Sequence, residues 1–253
     1  MLPKIIHFCW VGPKTFPKKY SKYLHSWKKV LFDWRIRFWG NEDIDLTLPF
    51  LQRANNLGLW GQVSDYLRWK ALYEEGGIYF DTDIEVVRPL PAGIRETPFL
   101  GFENVQNKIR KNPIGTAVIG LNKCHPLALQ MMKFYHKYPN KTILNTDLVT
   151  ENFKKKGLKK YGIKTDEFDF VTIEGIRLYH CDLFYPNLAR NPEWALRPPS
   201  RTFTIHHSEG SWAGAKIDPL PVLRRFFDLR IDRKIIRPIE KAAKLFIGQK
   251  KRF

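Results

Sequence analysis

Cysteine is scarce: Cys9, Cys124 and Cys181 are the only three, far apart and without a CxxC pair. A disulfide framework and a zinc knuckle are therefore not expected, and the chain reads as one suited to a reducing compartment. Long apolar runs are lacking too, and no stretch approaches the roughly 18 residues that a membrane-spanning helix requires. The opening Met1-Leu2-Pro3-Lys4-Ile5-Ile6-His7 has no basic region ahead of a long apolar core. It reads as the first strand of a fold rather than a secretion signal. Internal repeats and low-complexity tracts are absent. Acidic residues are in deficit, 25 against 43 Lys and Arg, for a formal net charge of +18. That imbalance implies an anionic partner: phosphorylated substrates, an acidic membrane surface or nucleic acid. No zinc-finger or RNA-recognition signature is present, so nucleic acid is not the expected partner.

What is present is enough for one sizeable core. The chain has 253 residues, 43% of them hydrophobic, which at this length implies one catalytic domain. Lys4 to Trp10 is a short apolar run stopped by Val11-Gly12-Pro13. Tyr20 to Val30 has helical spacing, and Trp34 to Trp39 alternates as a strand does. Strand, helix, strand is the opening of an α/β nucleotide-binding layer. Leu59 to Glu75 predicts a helix, with Trp60, Val63, Leu67 and Ala71 as its apolar stripe and Gly76-Gly77 as its stop. Ile78-Tyr79-Phe80 then enters a strand. Further strands are predicted at 99–103, 116–121, 168–173, 175–180 and 202–207, with a helix from His125 to His136. Beyond Pro219 the texture changes. Between residues 221 and 253 there are eleven Lys or Arg against three Asp or Glu, around an apolar face of Val222, Phe226, Leu229, Ile235, Ile239 and Phe246. The expected division is a catalytic domain at 1–219 and a basic amphipathic helical tail at 220–253. Such a tail suits an anionic membrane surface, which implies a cytoplasmic protein held at the inner face of the cell membrane.

The strongest chemical signal is Asp81-Thr82-Asp83 directly after a strand. Two carboxylates one residue apart offer hard oxygen ligands to Mg²⁺ or Mn²⁺. Such an ion can neutralise charge growing on a diphosphate leaving group. A lone DxD is more often an exposed turn. Here Asp65 and Arg68, three apart on the preceding helix, share a face and add groups suited to a ribose hydroxyl and a phosphate. A phosphohydrolase of the haloacid dehalogenase type also places DxD after a strand. Those enzymes carry Thr or Val two residues past the second Asp, where this chain has Glu85, and no later Asp-Asp motif appears.

The run VSDYLRWKALYEEGGIYFDTDIEVVRP, residues 63 to 89, resembles the signature of the DXD-containing retaining glycosyltransferases. That family includes initiating α-mannosyltransferases, α-1,4-galactosyl- and N-acetylglucosaminyltransferases and bacterial polysaccharide enzymes, and is related to the clostridial glucosylating toxins. Pro3 to Gly12 is similar to the family's first strand, and His206-His207 with Ser211-Trp212 to its closing element. The resemblance implies a GT-A-type α/β domain with a Rossmann-like mixed sheet. It implies transfer, with retention, of a hexose or N-acetylhexosamine from a nucleotide-diphosphate sugar, a UDP-sugar first and GDP-mannose second. The acceptor would be a saccharide, carried on a polyprenyl-diphosphate lipid in surface polysaccharide synthesis. Trp10 would stack on the base, with the Val11 backbone beside it. Asp65 and Arg68 would hold ribose, sugar or diphosphate, and Tyr79 would lie near the phosphates. Asp81 would contact hydroxyls and reach the metal through water, while Asp83 would bind it directly. Arg68 and the metal would stabilise the leaving group, and Ser211 and Trp212 would close over the diphosphate. If the segment is extended, His206 and His207 point to opposite faces and only one can coordinate. The expectation falls on His207, whose imidazole would favour Mn²⁺. Relatives carry a Gly-Pro pair where this chain has Leu144-Asn145-Thr146-Asp147, so Asn145 and Asp147 are only loosely aligned as acceptor residues.

Overall fold

The apolar run at the start of the chain forms strand β1, Ile5–Cys9, and the alternating stretch after it forms β2, Arg35–Trp39. Helix α1, Ser21–Val30, joins them. The computed structural model describes residues 1–103, 114–158, 170–188 and 191–210. The described elements continue with α2, Pro49–Asn56; α3, Trp60–Glu75; β3, Gly77–Phe80; β4, Ile84–Val86; and the short α4, Ala92–Arg95. Then come β5, Phe99–Phe102; β6, Ile114–Leu121; α5, Pro126–Lys137; α6, Asn145–Lys155; β7, Phe170–Ile173; β8, Ile176–Tyr179; the short α7, Cys181–Phe184; and β9, Thr204–His206. The mixed α/β architecture is the one expected. The basic tail at 220–253, Ser211 and Trp212 lie outside the described residues.

A seven-stranded mixed sheet runs in the order β2-β1-β3-β6-β5-β8-β7. β1 is parallel to both β2 and β3, β3 is antiparallel to β6, and β5 is parallel to β8. Two hydrophobic layers cover its faces. In β3 the pleat sends Ile78 and Phe80 into the layer with Trp27 of α1, and Tyr79 into the layer with α3 and α5. The apolar stripe foreseen on α3 is only part of its buried surface. Tyr66, Arg68, Trp69 and Leu72 are buried as well, because α2 and α5 cover the flanks that a two-layer packing would leave wet.

Gly76 and Gly77 end α3 and return the chain into the sheet without a loop, both at positive φ (68° and 105°). A Cβ on Gly76 would lie 2.5 Å from the Lys123 amide nitrogen, and one on Gly77 2.6 Å from the Ile5 carbonyl oxygen, so neither position admits a side chain. His7, fully buried on β1, fixes the same corner. Its Nε2 donates to the Gly76 carbonyl at 2.7 Å, while Nδ1 accepts from the Trp39 indole at 3.1 Å. Burial lowers the His7 pKa, and this bonding pattern is that of the neutral ring.

A separate two-stranded ribbon, β4 with β9, pairs Ile84 with His206 and Val86 with Thr204. It brings the far end of the described chain onto the residues just after β3, and that pairing makes the site.

Candidate active site

Parallel β1 and β3 end at the same edge of the sheet, where ligands bind in open α/β folds. The segment after β1 carries Trp10 and Val11, and the segment after β3 carries Asp81-Thr82-Asp83. Burial raises the Cys9 thiol at the end of β1 to about 12; Arg68, Asp81 and Tyr79 are the charges and partners that act on it there.

On the α3 side, the side chains form a closed polar cluster. Arg68 pairs with Asp65 at 2.8 Å and with Asp81 at 3.3 Å. It lies 4.7 Å over the Tyr79 ring and donates to the Thr116 carbonyl of β6 at 2.5 Å. Burial works against its charge, yet Asp81, Tyr79 and Asp65 outweigh that and keep the guanidinium protonated. Burial lifts the Asp65 carboxyl to about 6, against the pull of Arg68. The expected Asp65–Arg68–Tyr79–Asp81 grouping is thus brought together. Arg68 Nε stays buried without a partner among the described residues.

Around Asp83 the partners come from β9. Asp83 is 6% exposed. One carboxylate oxygen lies 3.4 Å from His206 Nε2, and the other accepts from the Glu209 backbone N–H at 2.8 Å. Burial would raise its pKa, but His206 and the Glu209 amide hold it below the usual carboxylate value. His206 is raised to about 9: desolvation opposes its charge, and the bond to Asp83 prevails.

Asp81, Asp83 and His206 each offer a ligand atom within 4.8 Å of the others. Two carboxylates and an imidazole are a hard-to-borderline donor set that suits a divalent cation. The imidazole beside the pair is that of His206, whereas the sequence-based expectation fell on His207. The His207 ring turns away to bond Glu85 at 2.8 Å and to pack against Tyr23. The cause is register: with Ile84 opposite His206, the pleat sends residue 206 toward Asp83 and residue 207 toward α1. Nothing in the local sequence distinguishes the two histidines.

Other expected residues fall elsewhere in the fold. Trp10 is half-buried; its indole N–H donates to the Lys14 carbonyl at 2.8 Å and its rings pack on Phe16 and Tyr20. Val11 is buried. Asn145 is 4% exposed, and its side-chain oxygen accepts from Trp69 Nε1 at 2.9 Å. There the side chain braces α3 from inside the core. Asp147 sits half-buried in the first turn of α6. Trp60, read from sequence as core, is half-buried instead, and its indole lies against the Gly12 backbone, where a Cβ would approach it to 2.8 Å. A second group among the described residues, His180-Cys181-Asp182, is consecutive in sequence. There the His180 ring accepts from the Asp182 amide and caps α7.

The chain is similar to several known proteins. A 191-residue match, 24% identical, covers 73% of this chain and 75% of the uncharacterized glycosyltransferase L373 of Acanthamoeba polyphaga mimivirus. Inositol phosphoceramide mannosyltransferase 3 of Schizosaccharomyces pombe is 28% identical over 160 residues, 56% of this chain and 41% of that protein. Among solved structures, the PaToxG glycosyltransferase is 17% identical, covering 62% of this chain and 70% of that one, with a TM-score of 0.45. Galactosyltransferase LgtC, in complex with donor and acceptor sugar analogs, is 14% identical and covers 92% and 99%, with a TM-score of 0.40. Residues 17–103, with Asp81-Thr82-Asp83 inside them, match the glycosyltransferase sugar-binding region containing the DXD motif.

Proposed function

We propose that this glycosyltransferase moves a hexose or N-acetylhexosamine from a UDP-sugar to a saccharide acceptor with retention of configuration, using a divalent cation held by Asp83, His206 and Asp81. The observation that carries the reading is the convergence of those three side chains within 4.8 Å. Bound there, the ion would supply Lewis-acid neutralisation of the diphosphate. Arg68 would add a fixed positive charge from the α3 side, pre-oriented by Asp65 and Tyr79 so that little reorganisation accompanies reaction. Asp65 would accept from a ribose or sugar hydroxyl. Trp10, Trp60 and the Gly12 backbone offer a surface for the base, and Ser211 with Trp212 would close over the diphosphate. Because Asn145 is occupied in the core, the acceptor contact is assigned to Asp147.

GDP-mannose is the second donor reading, favoured by the mannosyltransferase among the relatives. The basic segment at 220–253 would act as a separate unit on an anionic membrane surface, where a lipid-linked acceptor is presented at the cytoplasmic face. Among the described residues no helix is long and apolar enough to cross a membrane. A panel of nucleotide sugars with Mn²⁺, scored by thermal shift and slow donor hydrolysis, tests the reading. Hydrolysis of one donor that requires Mn²⁺ and is lost in Asp83→Ala is expected; indifference to every donor refutes it.

A further inference from the structure

We propose that Glu209 is a positioning residue whose side chain latches the segment after β9 onto α1, thereby holding the Asp83 carboxylate and the His206 ring in register. The proposal rests on the divalent-cation reading given above.

After His206 the chain makes a tight strap. Ser208 and Gly210 both take left-handed backbone angles, φ of 51° and 60°. A non-glycine residue adopts that region only against a steric cost. The bends turn main-chain donors back onto one side chain and its backbone. The Glu209 N–H reaches an Asp83 carboxylate oxygen at 2.8 Å, and the His207 N–H reaches the Asp83 carbonyl at 3.1 Å. The Glu209 side chain runs the other way. One oxygen accepts from the Tyr23 hydroxyl at 2.6 Å, and the other from the Lys19 ammonium at 2.7 Å. Tyr23 is 1% exposed, so its hydroxyl needs a partner inside the fold.

The latch belongs to a row of ties along one helix face. Tyr23, Ser26 and Trp27 recur at the spacing that puts them on one side of α1. Trp27 Nε1 donates to the Ile84 carbonyl at 2.7 Å, and Ser26 Oγ accepts from the Val86 N–H at 3.0 Å. Those two hold β4, and Glu209 holds the strap that β9 delivers. The helix therefore carries both halves of the β4–β9 ribbon. The backbone bond from Glu209 occupies one Asp83 oxygen and leaves the other turned toward His206. Release of the side chain would free the bends, and with them the donor that sets this orientation.

The test is direct Mn²⁺ binding by the full chain without donor sugar, followed by the electron paramagnetic resonance signal of free Mn²⁺. Metal-free circular dichroism melts serve as the folding control. Glu209→Ala is expected to weaken Mn²⁺ binding at least about tenfold, as loss of a partner that orients a ligand does elsewhere. Glu209→Gln keeps an oxygen for Tyr23 and should lose less, with Tyr23→Phe close to it and Lys19→Met least affected. A wild type that binds no Mn²⁺ defeats the cation reading itself. A wild type that binds, alongside a folded Glu209→Ala that binds equally well, overturns the latch. So does a Glu209→Ala that fails to fold while Glu209→Gln and Tyr23→Phe bind like wild type.

Discussion

The two carboxylates of the motif stand one residue apart and are held in opposite ways. Asp81 is gripped by Arg68 and its neighbours on α3, a helix that ends six residues earlier in the chain. Asp83 is gripped by His206 and the Glu209 amide, which arrive from more than 120 residues away. The first grip is local and buried. The second is a strand pairing with a bent strap behind it. One side of the site therefore depends on the packing of α3 and β3, and the other on the pairing of the ribbon.

Asp83→Ala separates the two most sharply. It should cut transfer by about 10² to 10³-fold, the range seen when one preorganised charge-stabilising group is removed, while leaving the far-ultraviolet circular dichroism spectrum intact. Near-normal turnover at saturating Mn²⁺ would place the chemistry elsewhere. Arg68→Ala strikes the other side through stability. It leaves Asp65 and Asp81 at a buried site without their cation, which typically costs about 3–5 kcal/mol. Urea unfolding should show that loss, and Arg68→Lys should not restore it fully, because an ammonium cannot reproduce the planar fork. A midpoint like the wild type's would mean the cluster is not a unit.

His206→Ala and His207→Ala sharpen the assignment on the ribbon. The first should weaken Mn²⁺ binding tenfold or more by calorimetry. The second removes a partly exposed pair with Glu85 worth about 0–1 kcal/mol and should leave metal affinity near wild type. The reverse order would restore the sequence-based choice.

The smallest effect is in pH. The folded pKa of Asp65, about 6, lies above its ordinary 3.8, so the folded state holds the extra proton. Its contribution to stability is fully present below 3.8 and is lost as pH rises through about 6. Asp83 is lowered, so its contribution is present above 3.8 and lost as pH falls below that. Urea midpoints from pH 4 to 7 should show a downward contribution that Asp65→Asn abolishes. An unchanged slope in that variant would remove Asp65 as its source.

The same contrast explains what could be read from the sequence. The end of α3 at Gly76-Gly77, the entry of β3 and the carboxylates after it follow from composition and spacing within about 30 residues, and the Asp65–Arg68 pair follows from helical geometry. Helix α2 was not foreseen. It is short, with Pro49 at its first position as the one clear start signal, and Phe50, Leu51 and Ala54 alone are too few to reveal a period. The choice between His206 and His207 depends on the register of β9 against β4, which no local pattern encodes. The surroundings of Asn145 are hidden from the sequence for a related reason: its partners, Trp69 and Tyr135, belong to two other helices.

The loopless corner at Gly76-Gly77 has a consequence for how this chain can vary. Helix and strand are spliced there with no slack to absorb a change in length. One residue added between Glu75 and Ile78 would invert the parity of everything downstream in β3, burying Tyr79 among the side chains around Trp27 and aiming both acids at the wrong layer. Two added residues would restore parity but push the acids beyond the reach of Arg68. A change in length is thus better tolerated at other junctions, and these two glycines act as the datum from which the position of both acids is measured.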